Sequence, residues 1–208
     1  SAFCELNYTT EKEDGCIDIS KAVKIAAQFE TSKQFWAYLL RQKYVDAPEH
    51  FINSVPHISF VWGADHVAFL KKRHAALIQN KLFEGMQFSD DPVTLQNWMP
   101  LVMQGREDKE PCAATKMDLG TDVNFGALTD AMMAHLQTLK DVTLYLNHEV
   151  RDLEKMEDGK WMVTVKNLVE GDKIELTADF VFIGAGGGAL PLLQKSDIEE
   201  AEGYGGFP

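Results

Sequence analysis

Residues 184–189 read Gly-Ala-Gly-Gly-Gly-Ala, which fits the pattern G-x-G-x-x-G/A. Chemistry follows from that composition. Glycines let the backbone come close to a pyrophosphate, and the free N–H groups at the start of a following helix point at the phosphate oxygens. The apolar run 180–183 precedes the turn, and 190–194 reads as a short helix after it, so the local context suits a nucleotide cofactor. A first dinucleotide fingerprint also needs a second strand ending in an acid about 20 residues on. The chain after Gln194 is Lys-Ser-Asp-Ile-Glu-Glu-Ala-Glu-Gly, which is not a strand. Three readings stay open: the first phosphate loop of a dinucleotide domain, a later glycine turn of such a domain, or a purely structural tight turn.

The elements that must position this turn fall into two stretches. Residues 1–120 read as helices with a few antiparallel-looking strands. Ser20 or Asp18 caps a helix carrying Ala22, Val23, Ala26, Ala27 and Phe29, and a second helix carries Phe35, Trp36, Leu39 and Leu40. Residues 55–62 read as a strand with Ile58, Phe60 and Trp62 on one face. Residues 64–79 read as a helix with Val67, Leu70, His74, Leu77 and Ile78 inward. Asp91-Pro92 is an N-cap followed by a first-turn proline. Residues 103–111 form a polar loop, and 113–119 another strand.

The pattern changes near Thr121. A helical stripe (Leu128, Met132, Leu136, Leu139) leads into strands at 142–146, 149–156, 161–166 and 173–176. The run 180–183 is apolar without alternation, as in a strand buried on both faces. The expected class is α+β: a β-meander portion joined to a mixed helix and antiparallel-sheet portion.

Composition narrows the function. The 208 residues carry a net charge of -12, which opposes nucleic-acid backbones as partners. No run reaches the roughly 20 apolar residues of a membrane span, and the first ten residues carry no signal peptide pattern. Cys4, Cys16 and Cys112 are odd in number and widely spaced, against a disulfide framework or a zinc site, so no metal is expected. A reducing cytoplasm suits them. The first and last residues read as cuts in a longer polypeptide.

Several blocks are family-like. Residues 179–194, Gly203-Tyr-Gly-Gly-Phe-Pro208, Cys4-Glu-Leu-Asn-Tyr8, Ser54-Val-Pro-His-Ile-Ser-Phe-Val-Trp-Gly63 and Gly120-Thr-Asp-Val-Asn-Phe-Gly-Ala-Leu-Thr129 span nearly the whole chain in order. Together they resemble the malate:quinone oxidoreductases. The resemblance implies a bacterial FAD enzyme of the tricarboxylic acid cycle and respiratory chain. It oxidises (S)-malate to oxaloacetate, passes the electrons to a quinone, and sits in the cytoplasm, peripheral to the inner membrane. It also implies an FAD domain interrupted by a substrate domain: residues 1–120 would belong to the insert, 121–196 to the returning FAD domain, and 197–208 to a loop onward. The opening βαβ unit of that class is not in this sequence, so the chain alone is expected neither to bind FAD nor to turn over.

Roles follow from the implied reaction. Malate needs a cation for its carboxylates and a base near its alcohol. Arg106 is the first choice for a carboxylate fork, with Lys116 a weaker second. His57 is the candidate base. Thr121, Asp122 and Asn124 form a polar cluster for substrate contact. Val150, through its main chain, and Gly184, Gly186, Gly187 and Gly188 are the cofactor candidates. Two other readings remain: a related FAD-dependent 2-hydroxy-acid or amino-acid oxidase, and a non-catalytic binding fragment.

Overall fold

The computed structural model describes residues 2–3, 5–106, 110–196 and 198–203. Cys4, part of the acidic run 107–110, and the closing 204–208 lie outside them. Two compact units divide the chain, Ser1–Lys140 and Asp141–Pro208. Both combine helices with small antiparallel sheets, so the chain is α+β.

The first unit begins with the short pair β1 (Thr10–Glu11) and β2 (Ile17–Asp18), then α1 (Ser20–Arg41). One helix stands where the apolar pattern reads as two. Its 22 residues contain no Gly or Pro. The hydroxyls of Thr31 and Ser32, which look like a break, donate to the carbonyls of Ala27 and Gln28 one turn back. Ile19 holds the N-cap position without a side-chain bond, while Asp18 accepts from the Ser20 amide and hydroxyl.

Expected strand 55–62 forms from His57 onward, without Val55-Pro56. Residues of β3 (Ile52–Ser54) end before Val55-Pro56, and β4 (His57–Trp62) starts after them. Helix α2 (Ala64–Leu77) follows, then β5 (Gln87–Ser89), α3 (Pro92–Trp98), α4 (Pro100–Met103), β6 (Cys112–Met117), β7 (Thr121–Val123) and α5 (Phe125–Gln137). The sheet order is β4-β6-β5, and β3 pairs with β7 in a second ladder.

Both faces of β4 are covered. Val61 packs with Leu70 of α2 and Ala113 of β6, whereas Ile58 and Phe60 pack with Leu95, Met99 and Ala114. Trp62, expected inside with Ile58 and Phe60, is half exposed at the strand's end. Asp91 caps α3 as its sequence signals, accepting from the Thr94 amide at 2.8 Å. The hydroxyl of Thr94 and then its amide hold the Asp91 carboxyl below its ordinary pKa.

The compact units part at Lys140, beyond the change of pattern at Thr121. The reason is local: β7 pairs with β3, and Leu128 of α5 joins the cluster of Trp36, Leu39, Val45 and Phe51.

The second unit holds the expected meander: β8 (His148–Lys155), β9 (Trp161–Asn167) and β10 (Lys173–Ala178), in the order β10-β9-β8. Its turns use Gly159 and Gly171 with φ of +85° and +83°. Helix α6 (Ala189–Lys195) follows a single 3-10 turn, Gly186–Gly188.

Two expected strands do not form. Residues 142–146 and 180–183 pair with no strand among the described residues. Phe180 and Phe182 are 78% and 84% exposed, so the run expected to be buried on both faces lies open. A strand exists through its ladder, and an apolar run without a neighbouring strand has none.

Candidate functional site

His57 opens β4, beside the crossing where the chain from β6 into β7 passes under Val55-Pro56. The Val55 amide donates to the Gly120 carbonyl at 3.0 Å. Gly120 leaves no room for a side chain. A Cβ there would overlap the His57 ring at Cδ2 and Cγ and the Val55 carbonyl oxygen. Glycine thus lets the imidazole lie against the backbone, where Nε2 meets the Thr121 carbonyl at 3.1 Å. A carbonyl can only accept, so Nε2 carries the proton in this bond.

A cavity of about 420 Å³ opens beside this ring. Ile25, Ala26, Phe29 and Glu30, two adjacent pairs one turn apart on α1, form one wall. Leu82, Thr121, Asp122, Val123 and Phe125 contribute others, and Ala2 and Phe3 close the side. The Phe3 ring stands edge-on to His57, with centroids 6.0 Å apart. Of the expected cluster Thr121, Asp122 and Asn124, the first two line this cavity with His57, the candidate base. Asn124 turns away to cap α5, accepting from the Ala127 amide at 3.0 Å.

Phe3 owes its place to a residue the sequence reading did not single out. Arg73 of α2 is fully buried. Its Nη2 donates to the carbonyls of Ala2 and Phe3, and its Nε to the Thr9 hydroxyl at 3.1 Å. Its spacing, three after Leu70 and four before Leu77, puts it on the buried stripe and is the signal that could have found it.

Arg106 lies elsewhere. Its guanidinium sits over the Trp62 ring, 5.7 Å from the centroid. It lines a larger cavity, about 900 Å³, with Asp90, Pro92, Leu95, Glu110 and Cys112. Trp62 and His57 are the two ends of β4, about 17 Å apart along a strand of this length. Lys116 joins neither cavity's lining: it pairs with Asp118 at 2.8 Å and lies over the Trp98 ring.

In the second unit, Val150 is 40% exposed on β8, next to an irregularity in the β8–β9 register. Gly184, Gly186, Gly187 and Gly188 are exposed. Gly186 has φ +53°, and a Cβ at Gly186 or Gly187 would meet nothing within 4 Å. Among the described residues no group of three or more His, Cys, Asp or Glu is arranged to hold a metal ion.

Fold and site together define a mixed α+β chain with a mainly apolar pocket beside an oriented histidine. Residues 1–208 match the family model described as Malate:quinone oxidoreductase (Mqo). The chain belongs to the malate:quinone oxidoreductase family. It is similar to the probable malate:quinone oxidoreductase 1 of Pseudomonas aeruginosa, 58% identical over all of this chain and 40% of the relative. The probable malate:quinone oxidoreductases of Flavobacterium johnsoniae and Halalkalibacterium halodurans are 57% and 55% identical over all of this chain, covering 42% and 41% of their lengths. The chain thus spans about two fifths of the curated relatives it matches.

Proposed function

We propose that this chain is part of an FAD-dependent enzyme that oxidises (S)-malate to oxaloacetate and passes the electrons to a quinone. The observation that carries this is the family match across all of residues 1–208. In this reading residues 1–120 belong to an inserted substrate domain and 121–196 to the FAD domain.

The glycine turn fits such a cofactor in kind. Gly184, Gly186, Gly187 and Gly188 offer exposed backbone, and the space beside Gly186 and Gly187 is open to a close approach. Val150 would add main-chain contact from β8. When bound, FAD supplies the two-electron acceptance that no side chain here can supply.

The protein's own residues bind and move protons. His57 is the proton-transferring group, oriented by the Thr121 carbonyl at Nε2. Thr121 and Asp122 line its cavity. Arg106 is the cation for a malate carboxylate: its planar fork suits two parallel hydrogen bonds, and stacking on Trp62 restricts its orientation. Association of the whole enzyme with the cytoplasmic face of the inner membrane would be peripheral, in keeping with the finding that no helix among the described residues is long and apolar enough to cross a membrane.

The test is the full-length polypeptide. Purified, it should be yellow and reduce a short-chain benzoquinone in the presence of malate. A colourless protein with no malate-dependent reduction of any acceptor would contradict the proposal.

A further inference from the structure

The family name supplies two reactants of opposite chemistry, a dicarboxylate dianion and a neutral conjugated ring, and the His57 cavity is selective between them. We infer that this cavity receives a neutral planar dicarbonyl ring and excludes malate. The inference rests on the proposed function and decides which reacting group meets His57.

Charge is the first ground. Among the described residues lining the cavity none is a lysine or an arginine, while two are carboxylates, Glu30 and Asp122. Lys33 lies nearby but pairs with Glu30 at 2.6 Å, so its charge is already matched. Asp122 has no cation within ion-pair distance among the described residues. Bringing a dianion beside an unmatched carboxylate, in a space walled by hydrocarbon, costs both desolvation and repulsion. Recognition of a dicarboxylate calls for the opposite lining, with a guanidinium or ammonium for each end.

Shape and polarity are the second ground. Phe3, Phe29 and Phe125 surround the space, with Ile25 and Leu82 completing an apolar wall. Aromatic side chains meet a flat ring by stacking or edge contact. The volume, about 420 Å³, lies in the range of small-molecule sites and exceeds what a four-carbon acid fills. Of the polar residues in the lining, His57 is held in orientation by Gly120 and the Thr121 carbonyl. A ring carbonyl that gains electrons also gains a proton, and an imidazole at the edge of the space is a group that can exchange one.

Two sources share this chemistry, the isoalloxazine ring of the flavin and the headgroup of the quinone. The experiment separates them in the full-length enzyme carrying Phe125→Ala and, separately, Ile25→Phe. Phe125 is 64% exposed and meets the core at the edge of Trp36, and Ile25→Phe narrows the same space from α1; the melting temperature of each variant checks that it is folded. Three quantities are measured: flavin retained per polypeptide by absorbance, KM for a short-chain benzoquinone, and KM for malate. The expected result is a rise of about tenfold in quinone KM, or an equivalent loss of flavin affinity, with malate KM unmoved. The first outcome assigns the cavity to the quinone, the second to the flavin ring. The inference is overturned if malate KM alone rises, if malate KM falls several-fold in Asp122→Asn, or if none of the three moves in either variant. Wild-type protein that reduces no acceptor with malate would fail the proposed function itself, before any variant is made.

Discussion

The two ends of β4 carry two different kinds of site. At its start, His57 is fixed by backbone: a glycine with no room for a Cβ, a carbonyl on Nε2, and an aromatic edge held by a buried arginine. At its end, Arg106 stands on an exposed loop and is oriented by one stacking contact with a half-exposed tryptophan. The first site is small and walled by hydrocarbon, the second larger and bordered by Asp90 and Glu110. Preorganisation therefore sits with His57, and adaptability with Arg106. That division suits a reaction in which proton transfer tolerates little misplacement while a charged end group can be gathered by a flexible arm.

The sharpest way to break the comparison is at Gly120. Gly120→Ala forces a methyl group against the His57 ring and the Val55 carbonyl. It should cost about 2–3 kcal/mol, read as a lower denaturant midpoint at unchanged slope. An unchanged midpoint would mean the ring is not held as described. Arg106→Gln should do the reverse: stability stays within about 0.5 kcal/mol, while malate KM in the full-length enzyme rises about tenfold as the bidentate pair is lost. A malate KM equal to wild type would remove Arg106 from the substrate site.

The smallest effect belongs to Asp91, which caps α3 on the border of the Arg106 cavity. Its folded pKa is depressed, first by the Thr94 hydroxyl and then by the Thr94 amide. The stabilisation is therefore present above the unfolded-state pKa and is lost as pH falls through the lower, folded-state value. Asp91→Ala should lower the melting temperature slightly at neutral pH, and the gap from wild type should close in strong acid. A gap that persists there would mean the cap acts through something other than its charge.

Much of the scaffold was legible in the sequence because its signals are local. Asp91-Pro92 marks α3, Asp158-Gly159 and Gly171 mark the meander turns, and the stripe from Leu128 marks α5. Errors arose where a partner decides. Thr31 and Ser32 look like a break until their hydroxyls bond one turn back. Residues 142–146 and 180–183 have the composition of strands, but no described strand lies beside them. In the candidate site, His57, Thr121 and Asp122 were singled out by type, but their meeting across the β6–β7 turn depends on pairing between residues distant in sequence. Gly120 and Arg73 were not singled out, because each acts on residues distant in sequence: Gly120 on His57, and Arg73 on Ala2 and Phe3. The separation of Arg106 from His57 was equally hidden, since it depends on which end of β4 each one meets.

His57→Gln in the full-length enzyme tests the central claim most directly. The glutamine amide can still donate to the Thr121 carbonyl, but it has no nitrogen that titrates. With folding and flavin content matched to wild type, kcat for malate-dependent quinone reduction should fall by at least about 100-fold. A rate within about twofold of wild type, against that 100-fold expectation for a lost acid–base group, would show that the oriented histidine takes no part in the reaction.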